Sequence, residues 1–274
     1  MPDETTSSDA VIAIGLLEDD AISLDRSALE LAALDHPDVD IEDYVGRLEE
    51  IAARVAAVGG GEHSARAQAE VLAGVIGDEF GLTGDRQSYD DPDNADLIRV
   101  LDRGRGLPVS LSIIYVGAAR RQGWTADALN TPGHVLTRLG SDVEPILIDP
   151  FASGAVVEPE ALAQLLRSML GNSVIATSEH LAPMENRSVL LRLLMNQASR
   201  AEAAGDARRA LTLYERMTTV APSNGHAWWE RARLHLITGD VARARSSLSA
   251  MLEVTRDPRV RTNICAALDA LAQK

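Results

Sequence analysis

Three side chains in this sequence could work as a set: Ser110, His134 and Asp149. A hydroxyl, an imidazole and a carboxylate are the parts of a nucleophile, base and orienter arrangement. In that chemistry Asp149 accepts the Nδ1 proton of His134, and the other ring nitrogen takes a proton from Ser110 or from a water. All three lie within residues 97–151, LIRVLDRGRGLPVSLSIIYVGAARRQGWTADALNTPGHVLTRLGSDVEPILIDPF, which read as a helix followed by strands. Ser110 falls at the helix start, His134 on one strand and Asp149 on the next.

The same stretch supports a binding reading. Arg103 and Arg105, in the turn RGRG, together with the following helix N-terminus would present positive potential to an anion such as a carboxylate. Tyr115, about two helical turns further in, joins them as a candidate ligand-binding residue. A third reading is structural, with His134 and Asp149 as a hydrogen-bonded pair that pins two strands together. Ser110 and Ser112 have a plain role as well, because hydroxyls in a first helical turn cap free backbone N–H groups.

Other chemistry-bearing residues point elsewhere. The acidic loop QSYDDPDNAD clusters Asp90, Asp91, Asp93, Asn94 and Asp96, but it lacks the central Gly and terminal Glu of a calcium loop. It reads as turns and caps, and neither a metal nor a cofactor is expected. Cys265, the single cysteine, sits among Ile264, Ala266, Ala267 and Leu268, where it reads as a small buried hydrophobe.

The elements that must position these groups follow from periodicity. Ala28, Leu29, Leu31, Ala32 and Leu34 carry helical spacing, as do Tyr44, Leu48, Ile51, Ala52 and Val55 in a second helix that Asp40 can cap. Gly59-Gly60-Gly61 ends that helix, and a third begins near Ser64. The organising helix starts at Pro108, which loses no hydrogen bond there, and stops at Gly123. Its stripe is Leu111, Ile114, Tyr115, Ala118 and Ala119, and Gly117 lets another backbone approach. Short strands are predicted at 126–130, 135–139 and 146–148, in one antiparallel sheet packed on that helix. A further helix spans 159–170. Beyond a loop ending in APMEN, Gly205-Asp206 recurs 34 residues later as Gly239-Asp240, the period of tetratricopeptide helix pairs, and a helix over 259–273 caps the array. Trp228 and Trp229 open the second repeat; one is expected in the core and the other exposed, where it could mark a groove for a partner peptide.

Composition narrows the function classes. With 26 Lys and Arg against 41 Asp and Glu, the formal net charge is -15, and no basic stripe interleaved with aromatics appears. A nucleic-acid partner is therefore not expected. No apolar run approaches membrane-spanning length, one cysteine cannot make an internal disulfide, and no secretory signal opens the sequence, so a cytoplasmic protein is expected. The oligomeric state is unknown from sequence.

The segments GLPVSLSIIYVGAARRQGW, TPGHVLTRL and ILIDPF, preceded by YDDPDNADLIRVLDRGRG, resemble the SirB-type branch of the transglutaminase-like superfamily over roughly residues 20–155. The resemblance implies a papain-like α+β fold with helices on a small antiparallel sheet, and that family often carries tetratricopeptide repeats behind it. In the wider superfamily a cysteine opens the helix, with a histidine and an aspartate on the next two strands. His134 and Asp149 match the last two places, while the cysteine place, counted back from Gly123, falls on Pro108. The branch generally lacks this thiol, and no activity is established for it. The expected organisation is residues 1–20 as a partly disordered tail, 21–183 as the transglutaminase-like domain and 187–274 as a tetratricopeptide-like helical block. That block is expected to dock on the first domain or to contact a partner. The expected function is binding of a protein partner or a small anionic ligand, and the alternative is a hydrolase or acyltransferase using Ser110 or a water with His134 and Asp149.

Overall fold

The helix expected from Pro108 onward forms as α6, Pro108–Arg121, and it is buried on every side from Pro108 to Ala119. A helix that is apolar all round is stable only when covered all round, so the one-sided stripe read from sequence understates its burial. In this computed structural model, which describes residues 4–141, 143–170 and 181–272, the cover comes from helices on one side and a sheet on the other. Those helices are α2 (Leu24–Ala33), α3 (Ile41–Gly59) and α4 (Ala65–Leu72), the last continuing as a π-helical segment, Ala73–Glu79. Gly117 is the point of closest approach, where the Asp25 carboxylate lies in the space a Cβ would need. Asp25 is buried there and pairs with Arg121 at the helix end.

Local signals account for the helix starts. The Asp40 side chain accepts the Glu42 N–H at 3.0 Å, and Ser64 Oγ accepts the Ala67 N–H at 3.2 Å. Each supplies an acceptor to an N–H that the helix itself leaves unpaired. Asp96 does the same for Arg99 at the start of α5, Leu97–Arg103, and Gly104 ends that helix with a φ of 66° that suits glycine.

The sheet has four antiparallel strands in sequence order: β3 (Ala126–Ala128), β4 (Thr137–Leu139), β5 (Ile146–Asp149) and β6 (Ala155–Val156). Its register places Ala128, Thr137, Ile148 and Val156 in one row across the sheet. Two short segments form a separate parallel ladder: β1 (Thr83–Gly84) pairs Thr83 with Arg105 and Gly84 with Gly106 of β2 (Arg105–Gly106). Neither this ladder nor β6 is among the strands read from periodicity. After β6 comes α7, Pro159–Leu170.

By contacts the chain divides into two units, Asp19–Leu190 and a second made of Met1–Glu18 with Leu191–Lys274. The division falls inside α8, Asn186–Ala203. The second unit continues with α9 (Ala207–Val220), α10 (Gly225–Ile237), α11 (Val241–Val254) and α12 (Pro258–Ala272). Its 34-residue period is visible atom by atom: Asp206 and Asp240 cap α9 and α11, each accepting an N–H three residues on at 2.9 Å, and each follows a glycine of positive φ. Residues 4–16, assigned by sequence to a partly disordered tail, form α1, with Val11 and Ile14 buried and Gly15 against the Thr219 carbonyl of α9. Part of the loop assigned to the domain boundary, residues 171–180, lies outside the described residues.

Cys265 corrects one expectation, for it is exposed. On α12 the inward position goes to Ile264, which packs with Leu248 and Met251, and the next residue turns about 100° away from that core. Neither tryptophan is fully in the core: Trp228 is half-buried against the cluster of Ala232, Leu248, Met251 and Ile264 and donates its indole N–H to the Pro222 carbonyl at 2.8 Å, while Trp229 is 42% exposed.

Candidate functional site

His134 is placed by a turn, not by a strand. Pro132 and Gly133, the latter at φ 65°, form the corner of a turn that the His134 N–H closes on the Thr131 carbonyl at 3.2 Å. Proline followed by a left-handed glycine is what a type II turn requires. β4 begins three residues later, so the turn sets the imidazole beside the end of β5. There Asp149 is the last strand residue, and its Oδ1 both accepts the Phe151 N–H and meets His134 Nε2, each at 2.9 Å. His134 is 9% exposed, and the carboxylate is only partly covered. The nitrogen facing Asp149 is thus Nε2, whereas the sequence reading assigned that role to Nδ1.

Ser110 stands apart from this pair. It is completely buried in the first turn of α6, its Oγ accepts the Leu107 N–H at 3.0 Å, and it meets the Asn94 and Leu107 carbonyls at 2.6 and 3.1 Å. These partners close the chain entering α6 onto the short 3-10 turn Pro92–Ala95, and none of them is His134. Pro108 is buried at the first position of the helix, and Ser112 Oγ lies 3.3 Å from the Val135 carbonyl. The two serines therefore anchor the helix to the loop before it and to the segment after His134.

The two arginines separate just as clearly. Arg103 lies among three carboxylates, with Asp91 at 3.0 Å, Asp85 at 3.4 Å and Asp93 at 3.6 Å. Its charge is taken up by the acidic loop, which closes around the guanidinium. Among the described residues no group of three or more His, Cys, Asp or Glu side chains is arranged to hold a metal ion. Asp85 is buried, accepts the Ser88 and Gln87 N–H groups at 2.8 and 3.1 Å, and is held below the usual carboxylate range chiefly by the Ser88 N–H, with Arg103 contributing. Arg105 is exposed. Tyr115 is fully buried with its hydroxyl unpartnered against Gly154, and burial, together with the charges of Asp78 and Asp149, pushes its pKa up.

The residues around the pair that sequence reasoning missed are Phe151, Tyr89 and Arg86. The Phe151 ring stands edge-on to His134 at 6.0 Å between centroids and edge-on to Tyr89 at 5.8 Å, and the Arg86 guanidinium lies 5.7 Å from its centre. Gly84 makes room for that ring, which fills the place a Cβ would take. Only the final F of the IDPF motif signalled any of this.

Two cavities lie away from the pair. One of about 660 Å³, at the C-terminal end of α6, is lined by His63, Arg66, Gln122, Trp124 and Glu144 among others. The other, about 270 Å³, is an apolar groove of the second unit, between Trp229, Ala232 and Leu236 of α10 and Ala267 and Leu271 of α12.

A family model described as "Transglutaminase-like superfamily" matches residues 42–195, and one described as "Tetratricopeptide repeat" matches residues 195–259. A UPF0162 protein of Xylella fastidiosa is 28% identical over 258 residues, which span 88% of this chain and 87% of that protein. A UPF0162 protein of Vibrio cholerae is 29% identical over 180 residues, 64% of this chain and 65% of that protein. F-box only protein 21 of Mus musculus is 32% identical over 77 residues, which are 28% of this chain and 12% of that protein. A crystal structure of menin, 12% identical, matches 93% of this chain and 70% of that one with a TM-score of 0.41, too slight a likeness to bear on the fold.

Proposed function

The chain belongs to the transglutaminase-like superfamily, and we propose that it is an interaction protein of the SirB-type branch, which binds through its His134–Asp149 site and its tetratricopeptide helices and turns nothing over. The observation that carries this reading is the engagement of Ser110. Its hydroxyl, at 2.6 Å from the Asn94 carbonyl and 3.0 Å from the Leu107 N–H, serves as a buried cap and cannot also give its proton to an imidazole. With Pro108 at the place where the resemblance puts a thiol, the base and its orienter have no nucleophile of their own. The tetratricopeptide match supports protein partners in general, and the exposed Trp229 beside the apolar groove supports contact through α10 and α12.

A second reading rests on one specific observation. The 2.9 Å contact between His134 Nε2 and Asp149 is the orientation a general base needs, and a base can activate a water. The two readings separate in a hydrolysis assay on a panel of activated esters and peptide amides. The expected result is a rate indistinguishable from that of His134→Ala and Ser110→Ala proteins. A wild-type rate that falls about a hundredfold in the His134→Ala protein would replace binding with water-based hydrolysis.

A further inference from the structure

Among the described residues Arg86 has no ion-pair partner, although the loop around it is rich in aspartate. Asp85, Asp91 and Asp93 all turn to Arg103, while the Arg86 guanidinium lies over the face of Phe151. An arginine laid on an aromatic ring is held by cation–π attraction and keeps the edge of its planar fork open, the geometry that takes a carboxylate through two parallel hydrogen bonds. Arg86 is exposed, and the ring beneath it is the one that stands edge-on to His134 and shares a turn with Asp149, whose Oδ1 accepts the Phe151 N–H. The cation, the imidazole and Tyr89 therefore all meet the one Phe151 ring. Arg105, the register partner of Thr83, adds a second exposed cation without an ion-pair partner among the described residues. In a chain with a net charge of -15, a cation over the ring that meets His134 runs against the overall charge.

We propose that Arg86, held over the Phe151 ring, is the anion-binding residue of the His134 site, and that the site takes a ligand bearing a carboxylate, either the terminal carboxylate of a peptide or an acidic side chain. This rests on the reading of the His134–Asp149 pair as a binding site. It moves the anion-binding role from Arg103, whose charge the acidic loop has taken, to the arginine that follows Asp85 just beyond β1.

The test uses the full chain and three probes at millimolar concentration. N-acetylalanine carries a terminal carboxylate, N-acetylglutamate α-amide carries only the side-chain carboxylate, and N-acetylalanine amide carries none. The imidazole resonances of His134, assigned by comparison with His134→Gln, report binding. The expected result is a saturable shift with one or both carboxylates, none with the neutral amide, and an affinity about tenfold or more lower in Arg86→Ala, with Arg86→Lys in between because an ammonium cannot pair bidentately. Which carboxylate binds more tightly tells a peptide terminus from an acidic side chain. Equal response to the neutral amide, or no response to any probe, overturns the proposal. Carboxylate binding that survives Arg86→Ala unchanged overturns the role of Arg86 while leaving the site a binding site.

Discussion

Replacing His134 by alanine should destabilise the Asp19–Leu190 unit by about 1–3 kcal/mol, and the contacts of the ring show where that cost arises. The substitution removes the 2.9 Å contact with Asp149 and the edge contact with Phe151. A hydrogen bond to a charged group contributes about 1.5–3 kcal/mol when buried, and partial exposure of the Asp149 carboxylate brings that toward the lower end. The ring contact adds about 0.5–1 kcal/mol, in the range for aromatic pairs. Asp149 is not orphaned, because its Oδ1 still accepts the Phe151 N–H. Asp149→Ala loses the same contact and a capping side chain of about 1 kcal/mol but keeps the ring pair, so it should cost as much as His134→Ala or up to about 0.5 kcal/mol more. The assay follows from the placement of the tryptophans. Trp124 is the single tryptophan of the Asp19–Leu190 unit, and its ring packs on Gly59. In a Trp228→Phe, Trp229→Phe background its fluorescence during urea unfolding reports on that unit alone. A domain of this size shifts its melting point by about 2–4 °C per kcal/mol. An unchanged midpoint in His134→Ala, or an Asp149→Ala protein as stable as the wild type, would refute the reasoning.

Other expectations are equally specific. Ser110→Ala should lower stability by about 1–2 kcal/mol in chemical denaturation, because a buried cap is lost while the Leu107 N–H keeps the Asn94 carbonyl at 3.0 Å. Tyr115→Phe should leave the melting point equal or higher, since it removes a buried hydroxyl with no partner, and a clear loss would mean that the hydroxyl is bound in solution. Gly154→Ala should destabilise by about 1–3 kcal/mol, because a φ of 78° suits glycine and a Cβ would meet the Tyr115 ring. Burial, with Arg231 next, lowers the His235 pKa, so the unfolded chain binds this proton more readily than the folded one. His235 therefore contributes stability that is full above its ordinary value near 6.5 and is lost as pH falls below it. Thermal melts of wild type and His235→Gln should run parallel above that pH and diverge below it, with only the wild type losing stability to protonation of this ring.

Long-period and capping signals were legible in the sequence because they are local. The Gly-Asp pairs 34 residues apart end one helix and cap the next in both repeats, and Asp40 and Ser64 cap where their types and positions suggested. Helix α6 was legible from Pro108 to Gly123, though not its burial on all sides, which depends on the helices and sheet that cover it. β6 and the Thr83–Arg105 ladder are two residues long, too short for a period of two to show. At the site, PGH and IDPF carried the resemblance that singled out His134 and Asp149, but His134 was read as a strand residue, and the Pro132–Gly133 corner that sets its imidazole was not read. The partners of Ser110 and Arg103 were not legible. Asn94 is 16 positions from Ser110, and Asp85 is 18 from Arg103, so only the folded path of the acidic loop shows that both are already engaged. Arg86 was passed over for the same reason, since nothing in its sequence neighbourhood tells that the ring beneath it is Phe151.

The most direct test of the central claim asks whether Ser110 can act as a nucleophile at all. The full chain is incubated with a fluorophosphonate, which forms a covalent adduct with serines activated by a base, and intact mass and peptide mapping locate any adduct. A buried hydroxyl held by the Asn94 carbonyl and the Leu107 N–H predicts no adduct at Ser110, in wild type as in His134→Ala. A stoichiometric adduct on Ser110 that disappears in His134→Ala would contradict the account and restore the nucleophile, base and orienter set.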